Sequence, residues 1–364
     1  MKFRKLQNLT LYIGLCISGI LVSPESMAQT CDCEQDLRTM IDKYETDYAG
    51  FENLKVESRS YKKLVSNLLR RSKKSFDLAD CERLLTRYIK YVDDGHAYMT
   101  KTVSHPQKQA PHSTARLKPS FSILSDSTVM IRIPSAELKY RRQIDSLIRS
   151  NSSLLARVPY MIIDVRGNRG GGDAAFSKLK PYLYTRPVIR HLPEFLATPG
   201  NISLYRQLSE NQEVPLDTRE FLKGFIRKME KAPNTFVSMT GKLTDTLEYD
   251  SVYPNPRKIG ILIDGKCGSA TEEFLLFSKQ SSKVIIFGKE NSSGTLDFSN
   301  LRTVELPSGF WTVTVPTSRS SRLPQQPFDK TGISPDVRLP KRDSRALPVV
   351  INYLKAADHR TPWL

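Results

Sequence analysis

No stretch of this 364-residue sequence is apolar for long enough to indicate a multi-span membrane protein. The apolar run from Leu9 to Val22 has about 14 residues, whereas a helix that crosses a bilayer needs roughly 20. Charged residues make up 26% of the chain, and its 18 glycines and 22 prolines show no collagen-like or low-complexity bias. With 39% hydrophobic residues, the chain has enough apolar side chains to build a large folded core.

Cysteine is scarce, and its placement argues against a zinc site. Only five cysteines occur, and the pair Cys31 and Cys33 has no histidine or further cysteine at ligand spacing. The sequence therefore predicts no metal and no cofactor. In an oxidising compartment, a disulfide from Cys31 or Cys33 to Cys81 would join the first helix to a later one.

The first 28 residues have the pattern of a secretory signal peptide. A basic start with Lys2, Arg4 and Lys5 precedes the apolar run, and the small-x-small triplet at 26–28 offers a cleavage point. We expect cleavage near Ala28 and export to the periplasm or the extracellular space. An N-terminal anchor that stays uncleaved is the alternative interpretation.

The chain is short of acidic residues, with 38 Asp and Glu against 55 Lys and Arg, which gives a net charge of +17. Such a surplus suggests a polyanionic partner. The basic residues are scattered, however, without a recognition motif or interleaved aromatics, so the sequence predicts no nucleic-acid partner. Peripheral contact with an anionic envelope surface fits the charge better, and the oligomeric state stays open.

Periodicity divides the remaining chain into a helical part and an α/β part. Apolar residues at helical spacing predict an N-terminal helical region over 29–100, followed by a linker loop at 101–119. Strands and helices then alternate through 120–357, which predicts an α/β core with mainly parallel strands. A partly helical insertion is expected at 186–255, a hairpin around Pro307 to Gly309, and a C-terminal tail at 358–364.

A candidate nucleophile lies where the apolar strand ILID meets a helix. The turn Gly265-Lys266-Cys267-Gly268 places Ser269 at the helix N-terminus, where first-turn N–H groups can stabilise a developing oxyanion. Ser269 could instead only cap the helix, because Glu272 three residues later completes a capping box. Cys267 is expected to be a small buried residue beneath the turn.

A glycine run follows another buried strand, YMIIDV. The glycines at 170–172 let the backbone turn its N–H groups toward a ligand, so Gly170 and Gly171 could form an oxyanion hole together with Ala270 N–H. A phosphate-binding loop is the weaker interpretation, because the glycine spacing matches neither the Walker nor the dinucleotide pattern. An ordinary turn is a further alternative.

His96 is the best candidate for a general base among five histidines. It lies in a loop just after a predicted helix, flanked by Asp93, Asp94 and Gly95. A neutral imidazole is the usual base for a serine nucleophile. A loop histidine without such a role is the alternative interpretation.

Five motifs in this order resemble one family of serine peptidases. They are Asp94-Gly95-His96, Arg166-Gly167-Asn168-Arg169-Gly170-Gly171, Ser269-Ala270-Thr271-Glu272, the stretch Phe287-Gly288-Lys289-Glu290-Asn291-Ser292-Ser293-Gly294, and Gly332-Ile333-Ser334-Pro335-Asp336. The family contains the C-terminal processing proteases, the tricorn core proteases and the interphotoreceptor retinoid-binding protein. The resemblance spans residues 94–337.

The resemblance implies a crotonase-like or ClpP-like α/β core. It makes Ser269 the nucleophile, and Ala270 N–H with Gly170 or Gly171 N–H the oxyanion hole. Processing proteases take their base from a lysine after the Gly-Glu strand, but here Thr295 follows Gly294, so the chain looks tricorn-like with His96 as base. The segment between the His96 loop and the strand SFSIL is also too short to hold the PDZ domain that processing proteases carry there.

Two positions depart from the tricorn-like pattern. A serine usually precedes the histidine, and a glutamate usually lies three positions before the Gly of the Gly-Ile-x-Pro-Asp motif; this chain has Gly95 and Asp329 there. Asp329 is the expected third catalytic residue, orienting the imidazole directly or through water, with Asp93 or Asp94 as alternatives.

These residues together predict an exported serine endopeptidase that hydrolyses peptide bonds through an acyl-enzyme on Ser269. The expected partner is a polypeptide substrate, docked as an added strand beside the core sheet. The alternative is a weak or inactive peptidase-like binding protein on the same scaffold.

Overall fold

Three helices form the N-terminal part of the computed structural model, which describes residues 32–75, 77–102, 118–340 and 346–359. The helices are α1 (Cys33–Asp47), α2 (Arg59–Ser72) and α3 (Leu78–Val92), and a 3-10 turn at Phe51–Leu54 follows α1. Each helix has a side-chain N-cap, which is provided by Asp32, Ser58 and Asp77, respectively. The predicted signal peptide and Cys31 lie outside the described residues, as does most of the expected linker loop.

A disulfide joins the starts of the first and third helices. Cys33 bonds Cys81, with their Cα atoms 5.4 Å apart, so one of the two pairings left open by the sequence is present. The helices pack around fully buried Tyr44 and Tyr88, and the same core takes in Trp311 from a distant strand. The helical region is therefore joined to the rest of the chain by a shared hydrophobic core.

A six-stranded sheet forms the centre of the α/β core. In spatial order its strands are β13 (Val337–Arg338), β10 (Val284–Gly288), β9 (Lys258–Ile263), β4 (Tyr160–Asp164), β3 (Thr128–Arg132) and β2 (Ser120–Ser125). All neighbours pair in parallel except β2, which pairs antiparallel with β3. Every residue of β4 is buried, as expected for a strand covered on both faces.

Helices cover both faces of this sheet. The elements on or beside one face are α4 (Leu138–Ser150), α5 (Ser152–Leu155), a 3-10 turn at Asp173–Phe176, α6 (Lys180–Leu183) and α9 (Ala270–Ser278). The opposite face packs against α10 (Ala346–His359), whose Val350 and Leu354 contact Ile162 and Leu262 in one cluster. The predicted α/β core with an N-terminal helical region is thereby confirmed.

A second sheet connects the core to the N-terminal helices. Its strands are β1 (Met99–Lys101), β6 (Pro193–Leu196), β7 (Phe236–Ser238), β11 (Phe298–Glu305) and β12 (Trp311–Ser320). The hairpin expected around Pro307 is the antiparallel pair of β11 and β12. No helix among the described residues is long and apolar enough to cross a membrane.

The insertion expected at 186–255 contains strands as well as helices. Its two helices are α7 (Pro199–Glu210) and α8 (Leu216–Glu230). Strands β6 and β7 extend the second sheet, whereas β5 (Val188–His191) and β8 (Thr244–Leu247) pair only with each other. These short strands were not predicted from the sequence.

Candidate active site

Ser269 lies on a strained turn between β9 and α9. Its backbone has φ 56° and ψ −124°, a region that residues other than glycine seldom adopt. Holding such a conformation costs on the order of 1–3 kcal/mol, so the surrounding structure must enforce it. Strained strand-to-helix turns of this kind expose a nucleophilic hydroxyl at the end of a sheet.

The enforcing group is the carboxylate of Glu272. This side chain is fully buried and accepts hydrogen bonds from Ser269 N (3.1 Å), Ser292 Oγ (2.5 Å), Gly294 N (2.8 Å) and Thr295 N (2.9 Å). Glu272 therefore joins the nucleophile turn to residues 292–295, the segment that we call the bridging loop. The glutamate that the sequence suggested as part of a cap also has this longer-range role.

The glycine run and the nucleophile turn lie side by side because β4 and β9 are neighbouring parallel strands. Gly268 N donates to Asn168 O (3.1 Å), which ties the two loops together. A Cβ atom at Gly170 would lie only 2.7 Å from the Cβ of Ser269, so the close approach requires glycine.

The two glycines expected in the oxyanion hole differ in their hydrogen bonds. Gly170 N donates to Asn168 Oδ1 (2.9 Å), so this N–H group is already engaged. In the part of the chain that the structure describes, neither Gly171 N–H nor Ala270 N–H donates a hydrogen bond. Of the three expected donors, Gly171 and Ala270 are therefore the ones that remain available for an oxyanion.

His96 follows the C-terminal end of α3, where Asp93 adopts φ 53° and ends the helix. Its backbone N–H donates to Asp94 Oδ1 (2.7 Å), and Tyr48 Oη donates to Asp94 Oδ2 (2.7 Å). Gly95 packs against Thr295 so closely that a Cβ atom there would lie 2.1 Å from the Thr295 methyl carbon. A side chain at position 95 would therefore force Thr295 of the bridging loop to move.

The imidazole of His96 is oriented by a main-chain carbonyl. Its Nδ1 lies 2.6 Å from Phe298 O, and a carbonyl oxygen only accepts, so Nδ1 carries the proton. Nε2 of the neutral ring is then unprotonated, which is the tautomer that a general base needs. His96 and Ser269 line the same cavity, but no hydrogen bond joins their side chains in the described structure.

Asp329 does not contact the imidazole. Its Oδ1 accepts from Leu296 N (2.8 Å) and Asp297 N (2.9 Å), and none of the hydrogen bonds among described residues joins it to His96. Burial, together with the nearby carboxylates of Asp297 and Asp94, raises the pKa of Asp329 to about 7. The expected direct orientation of His96 by Asp329 is therefore absent from this geometry.

The alternative acids also fail to reach the imidazole. Asp94 holds the backbone of the histidine loop, and its burial raises the pKa of its carboxyl. Asp93 is exposed and forms an ion pair with Lys330. Sequence reasoning missed the Phe298 carbonyl, because a main-chain group has no residue type by which to recognise it.

A cavity of about 1680 Å³ opens over these groups. Its lining includes His96, Ser269, Ala270 and both Gly170 and Gly171, but not Asp329. One wall comes from the insertion, at residues 189–193. The cavity is large enough for several residues of a peptide, since ligand pockets of drug-sized molecules measure about 300–1000 Å³.

The cavity also contains charged side chains that the sequence did not single out. Glu273, one turn beyond Ser269, forms a bidentate pair with buried Arg322 (2.6 and 2.9 Å). Asp173 follows the glycine run and faces the opening, where the surrounding walls and Glu273 raise the pKa of its carboxyl. The sequence signal that could have found these two residues is their position: Glu273 directly follows the Ser-Ala-x-Glu motif, and Asp173 directly follows the glycine run.

Cys267 lies beneath the nucleophile turn and is fully buried. Its Sγ donates to Val165 O (3.1 Å), and burial raises the pKa of the thiol well above its ordinary value. The expectation of a small buried residue is therefore confirmed. Within the described ranges, no group of three or more His, Cys, Asp or Glu residues could hold a metal ion.

An α/β core with a serine on a strained turn, free N–H groups and an oriented imidazole defines a serine hydrolase site. The profile of peptidase family S41 matches residues 127–339. The chain belongs to peptidase family S41, so the family expected from its motifs is confirmed and the protein is a serine-type peptidase.

Solved structures share the fold at low sequence identity. A lipoprotein from Streptococcus agalactiae is 16% identical, with a TM-score of 0.55 over 90% of this chain and 97% of that chain. Mature CPAF complexed with lactacystin is 13% identical, with a TM-score of 0.57 over 90% of this chain and 97% of that chain. A search of curated proteins by sequence found no match.

Proposed function

We propose that the protein is an exported serine endopeptidase in which Ser269 and His96 perform the chemistry. The observation that carries this proposal is the hydrogen bond from His96 Nδ1 to Phe298 O, which leaves Nε2 unprotonated at the cavity that Ser269 lines. The alternative, a loop histidine without a catalytic role, is tested by the His96 variant below.

In the proposed reaction, Ser269 Oγ attacks the carbonyl carbon of the scissile peptide bond. The hydroxyl proton passes to His96 Nε2, and the carbonyl oxygen becomes an oxyanion that accepts from Gly171 N–H and Ala270 N–H. The C–N bond then breaks, and the leaving amine takes the proton from His96. Water, deprotonated by the same imidazole, hydrolyses the acyl-enzyme and restores Ser269.

An extended polypeptide is the proposed substrate. The cavity runs from the nucleophile turn to the insertion, and the carbonyl at Phe298 lies at the start of the cavity-lining segment 299–301. An extended chain fits a cleft of this kind by pairing its backbone with the exposed edges beside it. Internal cleavage is part of the proposal, because a cavity of about 1680 Å³ has room for substrate residues on both sides of a scissile bond.

The test compares Ser269→Ala and His96→Ala with Ser66→Ala, a matched control on the exposed surface of α2. We expect each of the first two variants to lower casein or peptide hydrolysis by about 10⁴-fold or more, because each removes a reacting group. The control should keep the wild-type rate. A fluorophosphonate probe should label wild-type Ser269 stoichiometrically.

Two results would contradict the proposal. Hydrolysis retained by either site variant would exclude the assigned residue. Absence of both hydrolysis and labelling in the folded wild-type protein would favour the alternative of a peptidase-like binding protein.

Export is proposed on the sequence pattern of residues 1–28 and on the Cys33–Cys81 disulfide, since stable disulfides are typical of oxidising compartments. Intact-mass measurement of the secreted or periplasmic fraction tests it. The expected species begins at Gln29, and its mass is lower by two hydrogen atoms than that of the fully reduced chain. A cytoplasmic protein of full mass with free thiols at both positions would refute export.

A further inference from the structure

Asp329 joins two loops behind the catalytic histidine. Its Oδ1 accepts from Leu296 N and Asp297 N, and Asp297 in return accepts from Phe328 N (2.9 Å) and Asp329 N (2.9 Å). Lys330 N also donates to Gly294 O (3.0 Å). The two segments are therefore held together by five hydrogen bonds between carboxylates or a carbonyl and main-chain N–H groups.

The clamped segment leads directly to the group that orients the imidazole. Phe298 follows Asp297 in the chain, and Phe298 O accepts from His96 Nδ1. On its other side, Phe298 pairs with Arg319 of β12, and Asp297 O accepts from Ser320 N (2.7 Å). The carbonyl is thus fixed from the strand side by β12 and from the loop side by Asp329.

We propose that Asp329 is a positioning residue that acts on His96 through the Phe298 carbonyl rather than through the imidazole itself. The inference rests on the proposed function of His96 as general base. It explains how the chain works with an aspartate where its relatives place a longer acid. A short carboxylate reaches the main chain of 296–297, and the main chain then supplies the acceptor for Nδ1.

The geometry predicts different effects for the variants Asp329→Asn and Asp329→Ala. Both N–H groups donate to the same oxygen, Oδ1, so the amide oxygen of an asparagine is able to accept both bonds. The amide nitrogen would then replace Oδ2 and remove a carboxylate that interacts electrostatically with Asp94 and Asp297. Alanine would leave both N–H groups without an acceptor.

The experiment measures kcat and KM for Asp329→Asn and Asp329→Ala, with Asp42→Asn on exposed α1 as the matched control. We expect Asp329→Asn to keep kcat within about tenfold of wild type. Asp329→Ala should lower kcat by about 100-fold or more at nearly unchanged KM, because imidazole orientation affects the chemical step. A carboxylate that bound the imidazole directly would make both variants lose about 10⁴-fold.

The second readout does not depend on activity. ¹⁵N NMR of the His96 ring reports which nitrogen carries the proton, and we expect the Nδ1-protonated form in wild type and Asp329→Asn but a mixture of tautomers in Asp329→Ala.

The outcomes separate this inference from the proposed function. An Asp329→Asn variant that loses about 10⁴-fold in kcat, or an Asp329→Ala variant that keeps a single Nδ1-protonated tautomer, would overturn the positioning role. If wild type proves inactive, the proposed function fails, and the tautomer measurement still decides the role of Asp329. If the alanine variant does not fold, the asparagine result alone decides between direct and indirect action.

Discussion

Glu272 offers the sharpest test of how the fold holds Ser269, the proposed nucleophile. The perturbations are Glu272→Gln and Glu272→Ala. Oε2 of the carboxylate accepts from Ser269 N and Thr295 N, whereas Oε1 accepts from Ser292 Oγ and Gly294 N. Within the described chain, Glu272 forms no ion pair, so main-chain donors and the hydroxyls of Ser292 and Thr295 stabilise the buried carboxylate.

The two variants should differ because a glutamine keeps one acceptor oxygen. Placed at Oε2, it still accepts from Ser269 N and Thr295 N, and the Ser292 hydroxyl can accept from the new amide nitrogen. Gly294 N–H and the Ser292 hydroxyl proton then lose their acceptor; the hydroxyl can rotate, so the main cost is about 1–3 kcal/mol for Gly294 N–H. Alanine leaves three N–H groups without this acceptor, that of Gly294 buried and those of Ser269 and Thr295 partly buried, which costs on the order of 3 kcal/mol or more.

The nucleophile should respond in the same order. In Glu272→Ala, the loss of the Ser269 N–H acceptor removes what holds φ at 56°, and release of about 1–3 kcal/mol of strain would slow fluorophosphonate labelling roughly 10–100-fold. In Glu272→Gln, labelling should stay within about tenfold of wild type.

Urea denaturation gives the free energy of unfolding, and labelling is followed by mass spectrometry below the transition. Glu220→Gln is the matched control, because Glu220 is exposed on α8 and should change stability by less than about 0.5 kcal/mol. The reasoning is refuted if Glu272→Ala unfolds within about 1 kcal/mol of wild type and labels at the wild-type rate.

Two further predictions concern stability. Cys33→Ser with Cys81→Ser should lower the free energy of unfolding by about 2–4 kcal/mol, because the disulfide closes a loop across 48 residues; equal urea midpoints with and without reductant would contradict this. The free energy of unfolding of Asp329→Asn, relative to that of wild type, should rise by about 3 kcal/mol as the pH increases from 5 to 8. The folded-state pKa of Asp329, about 7, exceeds its ordinary 3.8, so wild type loses stability as pH rises through this window; parallel pH profiles would exclude it.

Most of the fold follows from patterns that side chains produce locally. Helical spacing of apolar residues predicted the N-terminal helical region, and short apolar runs such as YMIIDV predicted the buried parallel strands. The strands of the insertion escaped prediction because β5 to β8 have three or four residues each and are only partly buried. Their conformation is set by pairing with distant strands, which a single sequence does not display.

The candidate site, like the fold, was predicted only in part from the sequence. Ser269 and the glycine run lie on neighbouring strand ends, as strand-turn-helix patterns indicate, and Cys267 is buried as expected. The sequence did not distinguish Gly170 from Gly171, because the difference comes from the Asn168 side chain. Nor did it predict the acceptor of His96 Nδ1, since the geometry of a main-chain carbonyl depends on the fold rather than on a residue type.

The two halves of the proposed catalytic pair belong to different cores, and the bridging loop joins them. Ser269 is held on the six-stranded sheet, whereas His96 follows a helix that packs against the second sheet. Thr295 touches both sides, because its N–H donates to Glu272 and its methyl group packs against Gly95. Thr295 therefore contacts both the turn that holds Ser269 and the loop that holds His96, so a change at this position should alter the relative placement of the two proposed catalytic residues.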